Sequence, residues 1–348
     1  MEKFYYKLHT FGCQMNEYDS QVIASTLNSM GGIPVETDSA ADLIILNTCC
    51  VRDSADQKIY GRLGQYKAQK RKNPGLIIAV LGCLAQKDKD ALQRRFSHVD
   101  LVLGTQNLKD LPGVLEEVWK GSSLVLAKED GADFVTPLHR ESSATAYVTI
   151  SIGCDCFCTY CIVPYVRGRL ISRPFQEIVE EVEKLARQGF IEIFLLGQNV
   201  NTYGNDLPGR PTFTDLLKRL NRVESIKRIR FTSPHPGDFA PELIDAIGSL
   251  DKVCNWVHLP IQSGSDSVLE KMNRKYDTAR YEQIVTELRK KVPGITISTD
   301  IIVGFPGETE AEFRESLDFI KRMDFDQAFM FAYSIRKGTA AARMGGHH

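Results

Sequence analysis

The sequence has no long apolar run, no leader-like amino terminus and almost no net charge. No apolar stretch approaches the roughly 18 residues that a membrane-spanning helix needs, and residues 1–8 lack signal-peptide architecture. The formal net charge of −1 does not indicate a basic nucleic-acid-binding surface, although a local patch would suffice for one. Hydrophobic residues make up 43% of the chain, which excludes a disordered protein. We therefore expect a cytoplasmic protein with no membrane part and, from 348 residues, two domains.

Cysteine is the residue type with the most informative pattern. There are nine cysteines, and clustered cysteines in a reducing compartment are more typical of metal binding or catalysis than of disulfides. Cys154, Cys158 and Cys161 (the loop trio) form a C-x3-C-x2-C array. Three thiolates on one loop reach three corners of an iron–sulfur cube, which normally takes four cysteines, so one iron stays open. A zinc knuckle or a group of buried thiols would be the alternative.

The first 140 residues alternate short apolar stretches with helical patterns. The apolar stretches lie at residues 4–11, 42–46, 76–81 and 99–104. This alternation predicts a parallel α/β sheet, with its first helix capped by Asp19 or Ser20. Cys13, Cys49 and Cys83 (the sheet trio) each follow a predicted strand. Because sites in such sheets lie beyond the carboxyl ends of the strands, we expect a second three-thiolate site there. Ordinary buried cysteines are the alternative for each position.

The second half contains six predicted strands that alternate with helices. They lie at residues 147–152, 192–196, 228–232, 256–261, 296–303 and 327–333. Six alternations predict a partial (β/α) barrel, in which chemistry sits at the carboxyl ends of the strands. Residues 121–146 are polar and read as the linker. The predicted domains are 1–140 and 141–344, followed by a tail at 345–348.

Two sets of motifs resemble known families. The C-x3-C-x2-C array, with Tyr160 before its last cysteine, resembles the radical S-adenosylmethionine (SAM) superfamily. Four amino-terminal motifs resemble the amino-terminal domain of radical-SAM methylthiotransferases, and the resemblance extends over about residues 3–343. These motifs are residues 10–17 (TFGCQMNE), 47–49 (NTC), 51–52 (VR) and 82–83 (GC). The residues after the first cysteine, 14–17 (QMNE), are most similar to those of the MiaB-type tRNA branch.

This resemblance implies the fold and the cofactors. The fold would be α/β, with a parallel α/β methylthiotransferase domain followed by a radical-SAM partial (β/α)6 barrel. The loop trio would hold a 4Fe–4S cluster that cleaves SAM to a 5′-deoxyadenosyl radical. The sheet trio would hold an auxiliary 4Fe–4S cluster that carries the sulfur. A small RNA-gripping TRAM domain, which relatives carry after this point, is expected to be absent.

Four further residues are implied as SAM contacts: Tyr160, Gly197, Gln198 and Gln262. Gly197 and Gln198 follow the second barrel strand, where the superfamily binds the SAM amino group, although a Gly/Glu wording is more usual there. Gln262 ends the fourth strand. Ordinary strand-end turns are the alternative for these positions.

Three cysteines fall outside both trios. Cys50 adjoins Cys49, and we expect that the two neighbours cannot both point into one site. Cys254 precedes a strand and is expected to be a packing residue. Cys156 lies inside the loop trio, where most relatives have another residue. It could be a fourth ligand, but the trio is complete without it.

The implied reaction is the replacement of C–H by C–SCH3 at carbon 2 of N6-isopentenyladenosine 37 in tRNA. This carbon is unactivated, so a radical suits it better than acid–base chemistry, and no catalytic residue beyond the cluster ligands is identified. The partners would be the tRNA anticodon stem-loop and an electron donor such as flavodoxin or ferredoxin. The sulfur donor is not identified, and we expect a monomer. Arg167, Arg169 and Arg173 would contact phosphate or lie in a solvated loop.

Three other functions remain open from the residues. A methylthiotransferase that acts on threonylcarbamoyladenosine or on a ribosomal-protein aspartate would share every cysteine. An iron–sulfur electron-transfer protein would need a closed cluster. A structural module would bind zinc instead of iron.

Overall fold

A computed structural model describes residues 3–50, 53–128, 134–137, 140 and 144–347, with only the backbone described for 53–55. The chain divides into two compact units. The first contains residues 1–142 and the short segment 165–168, and the second contains the rest. Among the described residues, no helix has both the length and the apolar character required to cross a bilayer.

The first unit is built on a six-stranded sheet in which every pairing is parallel. Its strands are β1 (Phe4–Thr10), β2 (Gly32–Pro34), β3 (Leu43–Thr48), β4 (Ile77–Gly82), β5 (Leu101–Leu103) and β6 (Leu124–Leu126), in the order β2-β1-β3-β4-β5-β6. Its helices are α1 (Gln14–Ser29), α2 (Asp53–Lys72), α3 (Cys83–Asp88), α4 (Asp90–Arg95) and α5 (Leu111–Trp119).

The central strands β3 and β4 are buried along their whole length. Leu43 and Ile45 pack into one hydrophobic cluster, whereas Ile44 and Leu46 pack into another. Successive side chains of a strand point to opposite faces, and both faces of this sheet are covered. The unbroken apolar run of β3 is the consequence.

Helix α1 begins earlier than its capping residues predict. It starts at Gln14, with Cys13 as its N-cap, and not near Asp19 or Ser20. Asp19 and Ser20 therefore lie inside the helix and do not cap it. Both are buried, and their side chains hydrogen-bond to Arg167 and Thr10, respectively. A second difference is β6, which lies inside the predicted linker and pairs with β5. The motif at residues 51–52 lies outside the described residues.

The second unit contains eight strands and seven helices in its described part, one of which, α6, runs into the segment 165–168. The strands are β7 (Thr145–Thr149), β8 (Ser151–Ile152), β9 (Ile171–Ser172), β10 (Glu192–Leu196), β11 (Arg228–Phe231), β12 (Trp256–His258), β13 (Thr296–Val303) and β14 (Gln327–Ala332). The helices are α6 (Val163–Arg167), α7 (Phe175–Arg187), α8 (Phe213–Leu220), α9 (Pro241–Ser249), α10 (Asp266–Lys271), α11 (Thr278–Lys291) and α12 (Glu310–Met323).

Six of these strands form two parallel groups, β11-β10-β7 and β12-β13-β14. The groups are joined where Cys254 N–H donates to Ile229 O at 3.1 Å, next to a parallel bridge between Ile229 and Val253. Helices alternate with the strands, and a large apolar cluster packs between them. The predicted partial (β/α)6 barrel is therefore confirmed. The first predicted barrel strand is shorter than expected, because β7 ends at Thr149 and β8 pairs instead with β9 in an antiparallel ribbon.

Candidate functional site

The sheet trio lies at the carboxyl ends of three neighbouring strands. Cys13 follows β1 as the N-cap of α1, Cys49 follows β3, and Cys83 follows β4 as the first residue of α3. The Cys49 thiol hydrogen-bonds to Cys13, and the charges of Cys13 and Cys83 interact. The three thiols therefore meet at one edge of the sheet, as parallel strands require.

Two glycines allow this close approach. Gly12 has φ +139°, and a Cβ there would lie 2.4 Å from Cys49 Cβ. Gly82 has φ +95°, and a Cβ there would lie 2.5 Å from Thr48 O. Side chains are excluded at both positions by the backbone conformation and by space.

A fourth thiol joins the sheet trio, contrary to the expectation from sequence. Cys50 is fully buried and hydrogen-bonds to Cys83. The reasoning that adjacent residues cannot share a site fails here because the chain leaves the strand after Thr48, so strict alternation no longer holds.

The thiols of this group differ in acidity. The hydrogen bond from the Cys49 thiol lowers the pKa of Cys13 to about 6, with a smaller contribution from Arg167. The hydrogen bond from the Cys50 thiol likewise lowers the pKa of Cys83, and Arg167 again contributes. Donating that bond raises the pKa of Cys50 well above its ordinary value. Cys13 and Cys83 are thus the thiols most ready to act as thiolate ligands.

A buried ion pair supplies the positive charge beside these thiols. Arg167 donates to Asp19 Oδ2 at 2.7 Å, and both side chains are at least nine-tenths buried. Arg167 belongs to the segment 165–168 that is part of the first unit. The same segment is fixed by Thr105 Oγ1, which donates to Val166 O at 2.6 Å. This position contradicts both sequence-based alternatives for Arg167, a phosphate contact and a solvated loop.

A polar network holds the strand ends that carry the sheet trio. Asn16 Nδ2 donates to Thr48 O at 3.1 Å, and Asn47 Nδ2 donates to Asn16 O at 2.8 Å and to Ser20 Oγ at 2.8 Å. Asn16 and Asn47 are fully buried. Sequence reasoning quoted both asparagines only as motif letters, and the one available signal was a polar residue within three positions of Cys13 and of Cys49.

The loop trio lies in the second unit, after β8. Cys161 N–H donates to Cys158 O at 2.9 Å, which folds the loop into a tight turn. The charges of Cys158 and Cys161 both act on Cys154, so the three thiols are close together. Burial, followed by the charge of Cys158, raises the pKa of Cys161 to about 12. The hydrogen bond from the Cys156 thiol lowers the pKa of Cys154.

Residues after α10 hold this loop from the other side. Arg274 Nη1 lies 3.4 Å from Cys158 Sγ and 3.5 Å from the hydroxyl of Tyr160. Asn273 Nδ2 donates to Phe157 O at 3.0 Å, where Phe157 has a left-handed φ of 46°. Sequence reasoning missed Arg274 and Asn273. Both residues stand in a mostly charged stretch, residues 270–277 (EKMNRKYD), which gives no sign that either side chain is directed at the loop.

The carboxyl-terminal segment after β14 also reaches the loop. Ala341 N–H donates to Thr159 O at 2.8 Å, and Thr159 N–H donates to Met272 O at 3.0 Å. The loop is therefore fixed between two segments that are distant in sequence.

The four predicted SAM contacts all lie at strand ends of the barrel or on the loop. Gln198 Oε1 accepts from Gly153 N–H at 2.5 Å, so its side chain positions the start of the loop. Gly197 allows a close approach, since a Cβ there would lie 2.5 Å from Ser151 Oγ. Gln262 has a left-handed φ of 75°. Tyr160 is partly buried against the apolar cluster of Val268, Met272, Phe305 and Ala341.

A second polar group lies next to the loop trio. Cys156, His235 and Asp238 each place one possible metal-ligating atom within 4.8 Å of the others. Asn199 Nδ2 donates to Asp238 Oδ2 at 2.9 Å and lies 3.4 Å from Cys156 Sγ. Burial, with a smaller effect from Arg274, lowers the pKa of His235 to about 3, so this imidazole is neutral at physiological pH.

The remaining two arginines differ from each other. Arg173 is buried and paired with Glu181 and Glu177, which contradicts its predicted place in a solvated loop or on phosphate. The side chain of Arg169 is 70% exposed, lies 2.9 Å from Asp155 and covers the ring of Phe157.

Both groups of thiols suit an iron–sulfur cluster. Each brings three or more sulfur atoms close enough for their charges to interact. Adjacent thiolates repel one another unless a metal centre binds them, and cysteine thiolates are the usual ligands of such clusters. The donor sets therefore fit two clusters, one in each unit.

Comparisons with known proteins agree with this chemistry. The family model described as "Uncharacterized protein family UPF0004" matches residues 5–104, and the radical SAM superfamily model matches residues 148–320. A tRNA-2-methylthio-N(6)-dimethylallyladenosine synthase of Clostridium botulinum is 50% identical over 97% of this chain and 76% of its own length. A synthase of the same name from Moorella thermoacetica is 49% identical over 98% of this chain and 78% of its own length.

Solved structures show the same fold at low identity. The radical SAM methyltransferase TsrM of Kitasatospora setae, solved with cobalamin and a 4Fe–4S cluster, has a TM-score of 0.70 at 16% identity and covers 98% of this chain and 77% of that chain. The cobalamin-dependent SAM radical enzyme OxsB has a TM-score of 0.65 at 16% identity. The match covers 98% of this chain and 55% of the OxsB chain. The solved structures support the fold, and the curated relatives together with the two family models show that the chain belongs to the radical-SAM methylthiotransferase family.

Proposed function

We propose that the protein is a tRNA methylthiotransferase that converts N6-dimethylallyladenosine, also called isopentenyladenosine, to its 2-methylthio derivative at position 37. The observation that carries this proposal is the 50% identity to a synthase of this name over almost the whole chain. The two groups of thiols, one at the sheet edge and one in the barrel loop, support it.

The two units divide the work. Residues 141–344 hold the cluster and SAM that start the reaction, with the loop trio as ligands, and residues 1–140 hold the auxiliary cluster, with the sheet trio as ligands. When bound, these groups supply one electron to SAM, hence a carbon radical for an unactivated C–H bond, and the sulfur that is inserted.

The residues of this chain position and enclose the reacting groups. Arg274 fixes Cys158 and Tyr160 through contacts of 3.4 and 3.5 Å. Asn273 holds the left-handed turn at Phe157. Tyr160, Gly197, Gln198 and Gln262 contact SAM, with Gln198 acting through its bond to the backbone before Cys154.

The partners follow from this chemistry. The substrate base lies in the anticodon loop, and single-stranded loops allow a base to leave its stack and enter a protein site. The reaction needs an electron donor, for which flavodoxin or ferredoxin is suited. The protein acts as a cytoplasmic monomer.

The test uses anaerobically reconstituted protein with SAM, a reductant and tRNA that carries isopentenyladenosine. Cleaved SAM is quantified, and tRNA nucleosides are analysed by mass spectrometry. Replacing any loop-trio cysteine by Ala should abolish SAM cleavage. Replacing any sheet-trio cysteine should spare SAM cleavage but stop methylthio insertion. Cys254→Ala, which changes a thiol outside both groups, should keep both activities.

Other results would contradict the proposal. Cleavage of SAM by a loop-trio variant would show that the replaced cysteine is not a required ligand of the SAM-cleaving cluster. A methylthio group on threonylcarbamoyladenosine, or on a ribosomal-protein aspartate, would change the substrate. Zinc without iron in the reconstituted protein, or iron without any effect of SAM on the EPR spectrum of the reduced cluster, would replace the enzyme by a structural or electron-transfer protein.

A further inference from the structure

Cys156 is a thiol that the two clusters do not require. It lies in the loop between Cys154 and Cys158. Its thiol donates a hydrogen bond to Cys154, and its sulfur also lies beside two strand-end residues of the barrel, Asn199 and Asp238. These residues follow β10 and β11, respectively. The chain therefore places a third kind of donor set next to the loop trio.

The donor atoms are close and chemically mixed. A Cys156 sulfur, a His235 nitrogen and an Asp238 oxygen lie within 4.8 Å of one another. His235 Nδ1 is 3.4 Å from Asp238 Oδ2 and now accepts from Gly237 N–H at 3.2 Å, a bond that a metal at this nitrogen would replace. Tetrahedral zinc with its usual bonds of 2.0–2.3 Å separates its ligands by roughly 3.4–3.6 Å. The His–Asp pair already has this separation, and the sulfur has to approach by roughly 1.2–1.4 Å at most.

One buried polar atom in this group lacks the partner that burial demands. Asn199 is 2% exposed and its Oδ1 has no hydrogen-bond partner. Leaving such an atom unsatisfied is costly and calls for an explanation. A ligand in the group would supply one.

The amide of Asn199 points to a cation. Its Nδ2 contacts both Cys156 Sγ and Asp238 Oδ2, so the amide lies directly against two potential anions. The two ends of an amide have nearly the same shape and can exchange by rotation. Rotation would direct Oδ1 at the thiolate and the carboxylate, which is unfavourable in an empty group but favourable around a bound cation.

We propose that Cys156, His235 and Asp238 form a mononuclear site for a divalent transition metal, with Asn199 Oδ1 as the fourth ligand. Sulfur, imidazole and carboxylate together suit Zn²⁺ better than Mg²⁺ or Ca²⁺, which prefer oxygen alone. Asp238 is 40% exposed and gives the metal a route from solvent. The site is separate from the two clusters in its ligands.

The test measures metal content on the reconstituted holoprotein. The protein is equilibrated anaerobically with Zn²⁺ alone, desalted, and analysed for zinc and iron by mass spectrometry, with SAM cleavage measured on the same samples. Wild type should retain about one zinc in addition to about eight irons per chain. Cys156→Ala, His235→Ala and Asp238→Asn should each lose that zinc and keep the iron. Cys254→Ala should keep both metals.

X-ray absorption at the zinc edge gives an independent readout. It should show one sulfur at about 2.3 Å and nitrogen or oxygen ligands at about 2.0–2.2 Å. Asp238→Asn changes an exposed residue, so loss of zinc in this variant does not reflect misfolding. The proposal is overturned if wild type retains no zinc, or if the three variants keep it. It is also overturned if Cys156→Ala loses iron, because Cys156 would then be a cluster ligand.

Discussion

At the scale of single residues, the first unit prepares its thiols with hydrogen bonds and one buried charge. Cys13 and Cys83 each accept a hydrogen bond from a neighbouring thiol, and Arg167 lies close enough for its charge to act on both. Asp19 holds Arg167 in place at 2.7 Å. Arg167 is therefore a positioning and electrostatic residue of the sheet trio.

The acidity of Cys13 gives a pH prediction for cluster-free protein. Since its pKa is about 6, Cys13 should be mostly thiolate at pH 7 and react quickly with iodoacetamide. Arg167→Gln removes a stabilising charge and should move the midpoint of the rate profile to higher pH. Cys49→Ala removes the largest stabilising contact and should move it further. Peptide mass spectrometry between about pH 5 and 9 measures the rate at Cys13.

Cys254 is the internal reference for this labelling. Burial raises the pKa of Cys254, so this thiol should react more slowly than Cys13 at pH 7. If Arg167→Gln leaves the Cys13 profile unchanged, Arg167 does not act on the thiols through its charge.

Gly82 gives a second residue-scale prediction. Gly82→Ala combines an unfavourable positive φ with a Cβ 2.5 Å from Thr48 O, so the backbone before Cys83 must move. We expect iron incorporation at the sheet trio to fall severalfold, measured in a background without the loop trio. The control is Gly64→Ala on α2, where a Cβ meets nothing within 4 Å. It should keep the iron and raise stability by about 0.5–1 kcal/mol. Normal iron in Gly82→Ala would contradict this account.

At the scale of elements, α12 shows how caps hold the barrel helices. Thr309 Oγ1 accepts from Glu312 N–H, and Glu312 accepts from Thr309 N–H at 2.7 Å, which is a complete capping box. Glu312 also accepts from Ser267 and Lys271, so one carboxylate joins α12 to α10. Asn273 and Arg274, which follow α10, contact the loop trio's loop, so the Glu312 contacts stabilise the helix that precedes these two residues.

The capping box predicts a pH-dependent stability. The hydrogen bond from Ser267, followed by those from Thr309 and Lys271, lowers the pKa of Glu312 to about 2. A lowered pKa contributes stability above the ordinary value of 4.5. That contribution is lost as the pH falls from there to about 2. Glu312→Gln should therefore destabilise the protein at pH 7, and the difference from wild type should shrink over that interval.

Thr309→Ala is the companion variant and should cost about 1 kcal/mol, as the loss of an N-cap does. Urea unfolding followed by circular dichroism at several pH values measures both variants. A difference between wild type and Glu312→Gln that stays constant down to pH 2 would show that the carboxylate charge is not responsible.

At the scale of the whole molecule, the first unit is assembled from two separate stretches of chain. The segment 165–168 belongs to it although 22 residues separate 142 from 165 in the sequence. The segment brings Arg167 to the thiols, and Val166 accepts a hydrogen bond from Thr105. A gene fragment cut at the end of the first domain would keep every sheet-trio cysteine but lose Arg167.

This arrangement predicts the behaviour of a truncated protein. A fragment of residues 1–142 should incorporate less iron than the full chain in which the loop trio is replaced by Ala. Asp19 would lie beside the thiols without its partner, and an uncompensated buried charge is strongly destabilising. The full chain with Arg167→Gln and without the loop trio is the matched comparison and should show part of the same loss. Equal iron content in all three proteins would show that Arg167 is dispensable for the site.

Local pattern determined much of this protein from the sequence alone. Apolar runs and helical spacing located most of the longer strands and helices, because each element must bury one face regardless of its neighbours. The rule that parallel strands end together brought Cys13, Cys49 and Cys83 to one edge. The ligand roles of the two trios, and the four SAM contacts, stay predictions until the variants are measured.

Only the tertiary structure decided which side chains surround those cysteines. Cys50 joins the sheet trio because the chain turns after Thr48, and Arg167 reaches Asp19 across 148 positions. Arg274 contacts Cys158 across 116 positions, and Cys156 faces residues after two different strands. Such contacts leave no periodic trace in the sequence, since they depend on where loops cross and not on the local need to bury an apolar face.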